Sequence, residues 1–557
     1  MKLEDLQKNI SMHNWDAYIV SRNNMFIGQD VLDEENKIKE LCGFSGSAGT
    51  LIVFADRAVL IVDGRYEIQA VKEVDTSKIE VVCANDSVGS WMNKNLPNPQ
   101  KIAFDAWCHS ANEVDYWQRT MKQHTFVEDD EQLLGARISS KEVNIFEHDI
   151  EFCGISAEEK ISYLTKYMQE NKLDAFFISE ADAVSWMFNL RSNILKDTPI
   201  LRAFALIDKD GDVSLFTTDF SKLEDELKKF SGKNVGICSA TISKKIYNLM
   251  KKHKIWVCNH FNPIQDWKAI KNRVELDGFI NAHVRDGVAL VNFLYWLENN
   301  WQGQSELSIV DKLYEFRKEG KYFQGSSFET IAGFGEHGAI VHYQPNNETS
   351  VELKEGSVLL LDSGAQYLDG TTDVTRTIAI GKITNEDIKN SFTQVLKAHI
   401  SIASAKFPDG ISGSVIDTLA RAPLWQYGKE YKHGTGHGVG HFLNVHEGPF
   451  SISSRKNTSG LKVGMVTSIE PGYYLEGQYG VRIENLVQII RDDKWQNMLM
   501  FKPLTLVPID KRLINAYLLS KEEQDWLNNY HQLVYDKLKD LLPIELKTWF
   551  AEACSPL

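Results

Sequence analysis

An apolar run, Ser357-Val-Leu-Leu-Leu-Asp362, ends in a carboxylate, passes the turn-forming pair Asp369-Gly370, and returns as the stretch Asp373-Val-Thr-Arg376-Thr-Ile-Ala-Ile380. β-Forming residues on both sides of such a turn predict a hairpin. Side chains on paired strands alternate with period two, so Asp362 and Asp373, eleven residues apart across an even-length loop, face the same side. Two carboxylates on one inner face repel unless a cation or a proton lies between them. The stretch therefore requires a sheet and also something positive upon it.

More acid follows in strand-like surroundings. Val466-Thr-Ser-Ile-Glu470-Pro-Gly-Tyr-Tyr ends an apolar strand in Glu470, with Pro471 fixing the chain direction, and Gly480-Val-Arg482-Ile-Glu484-Asn places Glu484 inside another. A lone acid in a strand belongs on a solvated face. Together, Asp362, Asp373, Glu470, Glu484 and one histidine give four negative charges and one neutral nitrogen, the complement of two divalent ions. Oxygen-rich donor sets favour Mn²⁺ or Co²⁺ over structural zinc. Two such ions roughly 3.5–4 Å apart can share a hydroxide as nucleophile and polarise a carbonyl.

The candidate nitrogen lies in His433-Gly-Thr-Gly-His437-Gly-Val-Gly-His441-Phe-Leu-Asn-Val-His446. His433, His437 and His441 recur every four residues, as ligands on one helical face would. The alternating glycines oppose a helix, each by roughly 1 kcal/mol. A looped or extended segment is expected, with the imidazoles pointing in different directions.

At 557 residues the chain predicts two to four domains, and its net charge of −15 excludes general nucleic-acid binding. The opening MKLEDLQKNISMHNWDAYIV interrupts any apolar signal core with acids, and no stretch reaches membrane-spanning length. Seven scattered cysteines without a C-x-x-C pair fit reduced, core-filling thiols. A cytoplasmic protein with no membrane or nucleic-acid partner is expected. Two segments, Asn14-Trp-Asp-Ala-Tyr-Ile-Val-Ser21 and Lys172-Leu-Asp-Ala-Phe-Phe-Ile-Ser179, each follow a helix-like run and precede a strand pair, which suggests two related α/β domains in tandem. The strand pairs are 50–54 with 58–62, and 203–207 with 213–216, the latter joined by a turn at Lys209-Asp-Gly-Asp212. A long surface helix is expected over 270–299 and a helical tail over about 520–551.

The ordered series Val341-His-Tyr, Leu361-Asp-Ser-Gly-Ala, Asp373-Val-Thr-Arg-Thr, His433-Gly-Thr-Gly-His, Ser468-Ile-Glu-Pro-Gly-Tyr-Tyr and Val481-Arg-Ile-Glu-Asn resembles the pita-bread metallopeptidases. Within them it is most similar to the three-domain cytosolic aminopeptidase P (Xaa-Pro aminopeptidase) group, whose N-terminal pattern is also matched by Gly43-Phe-Ser-Gly-Ser-Ala-Gly-Thr50 and Asp63-Gly-Arg-Tyr66. The resemblance implies an α/β chain: a creatinase-like domain at 1–155, a second at 156–265, and an α+β pita-bread catalytic domain at 266–557. It implies that Asp362 binds one metal, that His437 and Glu470 bind the other, and that Asp373 and Glu484 bridge the pair. Two divalent ions are expected, Mn²⁺ foremost, with Co²⁺ or Zn²⁺ as alternatives.

His342, His433 and His446 match substrate-pocket histidines that orient the scissile carbonyl and assist proton movement, and Glu470 matches the proton shuttle. Arg376 and Arg482 are expected to orient carboxylates through salt bridges, Arg482 with a possible substrate contact besides. His441 reads as an ordinary polar loop residue, and Trp425 as either a core or an interface residue. The implied activity removes the first residue of peptides with proline second, through a metal-bridged hydroxide, in a homodimer. Prolidase shares the five ligands but cleaves dipeptides and usually lacks a second complete N-terminal domain. A non-catalytic pita-bread binding protein would have lost ligands, and methionine aminopeptidase lacks the two large N-terminal domains.

Overall fold

The structure, a computed structural model, describes residues 1–28, 31–83, 88–134, 144–217, 220–455 and 459–557. They form two compact units, the first of residues 1–147, 155–195 and 199–264, the second of residues 148–154, 196–198 and 265–557.

The first unit holds two sheets built to one plan. Strands β1 (Ala17–Ser21), β2 (Thr50–Phe54), β3 (Ala58–Val62), β4 (Ile79–Cys83), β5 (Lys101–Phe104) and β6 (Thr125–Glu128) lie in the order 4-3-2-1-5-6. Strands β7 (Ala175–Ile178), β8 (Phe204–Asp208), β9 (Val213–Phe216), β10 (Asn234–Ile237) and β11 (Trp256–Asn259) follow as 9-8-7-10-11. In each sheet the first strand pairs antiparallel with a hairpin on one side and parallel with a returning strand on the other. β1 is preceded by Asn14 at φ 53° and β7 by Lys172 at φ 55°, so the repeat extends to the left-handed residue that turns each helix into its strand. The two short sequence matches thus mark a duplicated topology, to which the first copy adds β4.

The second unit begins with helices α1 (Pro263–Ala269), α2 (Arg273–Asn300) and α3 (Glu306–Lys318). Helix α2 starts on a reciprocal cap: Asn272 Oδ1 accepts from the amides of Val274 and Glu275, while Glu275 Oε2 accepts from the amide of Asn272. It is no surface helix, because Phe279, Ala282, His283, Asp286 and Leu290 are all buried. A Cβ on Gly278 would sit 2.2 Å from the Asp369 carbonyl oxygen, so only glycine lets α2 lie against the acid-bearing turn.

Strands β12 (Ile331–Phe334), β13 (Ser357–Ser363) and β14 (Val374–Ile380) form an antiparallel sheet in that order. Asp362 pairs opposite Thr375, two residues beyond Asp373, so the two acids share a face as the alternation requires. The connection is more than a tight turn: Ala365–Tyr367 leaves the hairpin to pair with Phe323–Ser326 on one side and with Gly370–Thr371 on the other. A six-stranded sheet joins β15 (Lys406–Pro408), β16 (Gly436–Gly438), β17 (Glu447–Ile452), β18 (Val466–Ile469), β21 (Asn485–Arg491) and β22 (Met498–Pro503) in the order 15-22-21-18-16-17. The ribbon of β19 (Gly472–Leu475) and β20 (Tyr479–Arg482) lies between β18 and β21 in the chain. Helices α4 (Glu386–Ala403), α5 (Gly413–Trp425) and α6 (Lys521–Leu538) complete the unit. The expected helical tail is broken after Leu538 and resumes beyond Pro543, whose ring cannot continue a helix. Trp425 is half exposed, which removes the core reading for it.

None of the seven cysteines is in a disulfide, and Cys153, Cys238 and Cys554 are buried. Among the described residues no helix is long and apolar enough to cross a membrane. His531 of α6 is fully buried, its Nε2 accepts from the Ile509 amide at 3.0 Å, and burial pulls its pKa down to about 3. The unfolded chain therefore takes up a proton near pH 6.5 that the folded one refuses, and stability falls with acidification from pH 6.5 toward 3. His531→Gln, which keeps an acceptor for that amide, should flatten the pH dependence of the unfolding free energy, measured by urea titration, by about 1.4 kcal/mol per pH unit below pH 6.

Candidate metal centre

Strand ends deliver the five expected ligands to one place. Asp362 is the last residue but one of β13, Asp373 precedes β14, His437 is the middle residue of β16, Glu470 follows β18, and Glu484 stands between β20 and β21. Ligand atoms of Asp373, His437 and Glu484 all lie within 4.8 Å of one another. His437 Nε2 is 3.5 Å from Asp373 Oδ2 and 3.7 Å from Glu470 Oε1. Asp362 is set in place by Arg482, whose Nη2 donates to its Oδ2 at 2.7 Å.

Electrostatics tie the acids into one group. Burial, and then repulsion from Asp362 and Glu470, holds the Asp373 carboxyl well above its usual range. Glu484 is raised likewise, by burial and then by Asp373, Asp362 and Glu470, and Glu470 is raised chiefly by burial. Asp362 Oδ1 and Asp373 Oδ1 are buried without a hydrogen-bond partner. Orphaned carboxylate oxygens beside raised carboxyls, with one imidazole nitrogen among them, are the donor set that hard divalent cations take. The residues fit such ions.

No helix forms over the histidine segment, and its imidazoles separate as the glycines require. His437 Nδ1 donates to the Gly438 carbonyl at 2.9 Å, which turns Nε2 toward the acids. The exposed His446 ring packs edge-on against it at 4.4 Å between centroids. His433 Nδ1 donates to the Gly434 carbonyl at 2.7 Å, so its Nε2 is the acceptor for the Tyr474 hydroxyl at 2.8 Å. His342 follows Val341, whose carbonyl accepts from Arg482 Nη1 at 3.3 Å.

His441 is not an ordinary loop residue. It is 2 % exposed, its Nε2 bonds the Asp369 carbonyl at 3.0 Å, and its ring packs on His148 and Phe279. It pins the excursion between the first two acids.

Arg482 does orient a carboxylate, but it also links most of the site. Its Nη1 donates to the Tyr474 hydroxyl at 2.6 Å, and its Nε to Thr375 Oγ1 at 3.2 Å, which in turn donates to Glu484 Oε2 at 2.8 Å. At 1 % exposure its guanidinium serves protein acceptors. Burial pushes Tyr474 up to about 12, so it stays a neutral bridge between Arg482 and His433. Tyr474 and Thr375 escaped the sequence reading, although Tyr474 lies in the Glu470-Pro-Gly-Tyr-Tyr run.

Arg376 makes no salt bridge among the described residues, contrary to expectation. It gives its N–H groups to the carbonyls of Thr375, Glu484, Val507 and Pro508, to Asn485 Oδ1 and to the Tyr530 hydroxyl.

Raised folded carboxyl pKa values mean that the metal-free protein binds more protons than the unfolded chain, so its stability falls as pH rises through and above the ordinary carboxylate range. Asp373→Asn should raise the metal-free melting temperature at pH 8 by about 2–4 °C and abolish the further rise on adding Mn²⁺, measured by calorimetric scanning.

Residues 277–491 match the metallopeptidase family M24 and residues 497–557 its C-terminal region, while 2–138 and 136–260 each match a creatinase/prolidase N-terminal domain. A probable Xaa-Pro aminopeptidase P of Laccaria bicolor is 36% identical over all of this chain and 93% of its own. The crystal structure of an X-prolyl aminopeptidase from Caenorhabditis elegans, described as a cytosolic enzyme with a di-nuclear active site, superposes with a TM-score of 0.92 at 31% identity, covering 100% of this chain and 98% of that one. A prolidase from Pyrococcus horikoshii superposes with a TM-score of 0.51 at 27% identity, covering 63% of this chain and 99% of that one. Whole-length identity, the family match and the duplicated N-terminal sheets together make this chain a member of metallopeptidase family M24, in its Xaa-Pro aminopeptidase branch.

Proposed function

We propose that the chain removes the N-terminal residue from peptides carrying proline in second place, using two divalent cations held by Asp362, Asp373, His437, Glu470 and Glu484. The convergence of those five donors on one buried spot carries the reading. Bound there, two such ions would supply Lewis acidity, lowering the pKa of water and polarising the scissile carbonyl. Mn²⁺ is the ion we expect, by the hardness of a four-carboxylate set.

The chain's own groups do the rest. Glu470, a partly exposed carboxyl raised above its usual range, is suited to take a proton from the attacking water and return it to the leaving nitrogen. His446 reaches solvent beside His437 and orients the carbonyl oxygen as its charge grows, with His342 bordering the same pocket. His433 is held in one tautomer by Gly434, and its Nε2, engaged by the Tyr474 hydroxyl, steadies that phenol at the edge of the site. Proline in second place offers no N–H and fixes φ near −65°, so the pocket must recognise the ring by shape instead of gripping an amide.

We place the domain boundaries near residues 155 and 265, and propose a cytoplasmic homodimer in which the half-exposed Trp425 lies at the interface. Matching a prolidase over only 63% of the chain favours the aminopeptidase reading over a dipeptidase.

A panel of Xaa-Pro-Xaa and Xaa-Ala-Xaa tripeptides and Xaa-Pro dipeptides, assayed with chelator and with added Mn²⁺, tests the proposal. Proline tripeptides should be cleaved, and only with metal. Turnover of dipeptides alone would make the enzyme a prolidase. Glu470→Gln should lower kcat by about 10²–10⁴-fold, the usual contribution of a positioned acid–base group.

A further inference from the structure

Outside the ligand set, one buried carboxylate is held by two buried cations. Lys268 Nζ of α1 lies 2.9 Å from Glu447 Oε2, and Lys271 Nζ contacts Glu447 Oε1. The lysine side chains are 0 % exposed and that of Glu447 is 1 %. An enclosed trio of charges is a poor source of stability, since apolar residues of similar volume often do as well or better. What it does provide is a carboxylate that cannot swing.

Its location gives that rigidity a use. Glu447 directly follows His446 and opens β17, where its backbone pairs with Gly438 across a register shift between His437 and Gly438. The Gly438 carbonyl is the acceptor that fixes the His437 ring. The carboxylate also lies close to the following loop: a Cβ on Gly440 would come within 3.1 Å of Glu447 Oε2. Glu447 thus adjoins His446 in the chain, pairs with the residue after His437, and lies close to Gly440 in the loop that joins the two imidazoles.

We propose that Glu447, clamped by Lys268 and Lys271, is the positioning residue for that pair, fixing His437 toward the metal-binding acids and His446 toward the substrate. The inference rests on the metallopeptidase reading above. A swinging Glu447 releases the register shift at Gly438, and both imidazoles lose their aim together. Lys271→Met leaves the Lys268 ion pair in place and removes half of the clamp.

The experiment is titration calorimetry of metal-free protein with Mn²⁺, paired with kcat and KM on an Xaa-Pro-Xaa peptide, for Lys271→Met, Lys271→Arg and the control Lys397→Met. Lys397 pairs with Glu523 at 2.6 Å, both partly exposed, and touches none of these groups, so it reports the loss of a lysine–glutamate ion pair elsewhere in the same unit. Lys271→Met should weaken one of the two Mn²⁺ binding events by about tenfold, the lower end of what partners of metal ligands contribute, while raising KM and lowering kcat. Lys271→Arg should restore most of both, and Lys397→Met should change neither at a similar melting temperature.

Mn²⁺ affinity, kcat and KM of folded Lys271→Met within twofold of the parent would overturn the proposal, as would equal losses in the control. Should Lys271→Met fail to fold, Lys268→Met is read by the same criteria. Calorimetry needs no turnover, so a parent protein that binds Mn²⁺ but cleaves no proline peptide would sink the proposed function and leave this inference to the binding data.

Discussion

Repulsion among buried carboxylates is the constraint around which the second unit is built. At an effective dielectric near 20, two unit charges 4 Å apart repel by about 4 kcal/mol, and this site gathers four acids. A flexible chain would relieve that by letting one of them turn away. Here each acid stands at the end of a strand whose neighbours are already paired, and the two outermost are tied by donors: Asp362 by Arg482 and Glu484 by Thr375. The fold confines the repulsion and leaves cations as its outlet, which is how a structural cost becomes metal affinity.

Much of this could be read along the chain. Strand alternation placed Asp362 and Asp373 on one face, and their register confirms it; the glycines in the His433–His446 stretch spoke against a helix, and none forms. The duplicated first half was visible in two eight-residue segments, and the sheets repeat the same order around them. These features are local, or depend on periodicity, and periodicity survives translation into structure.

What escaped was the identity of distant partners. Nothing near Arg376 in sequence says that all its acceptors but the Thr375 carbonyl lie more than a hundred residues away, or that none is charged. His441 looked dispensable because its purpose is a backbone carbonyl seventy-two residues earlier. Tyr474 lay beside a recognised ligand, yet its importance depends on Arg482 and His433 both reaching its hydroxyl. Long-range hydrogen bonds to main chain or to neutral groups leave no charge pattern to find, whereas the acids announced themselves by being acids.

Arg376 carries one more implication. Its guanidinium sits on the strand that Asp373 introduces, touches the carbonyl of Glu484, and takes three of its acceptors from Val507, Pro508 and Tyr530. The final sixty residues therefore work as a keel and not as an appendage. Loss of the segment beyond residue 497 would strand a buried cation that holds the carbonyl of Glu484, so damage there would surface as lost chemistry among acids to which that segment contributes none.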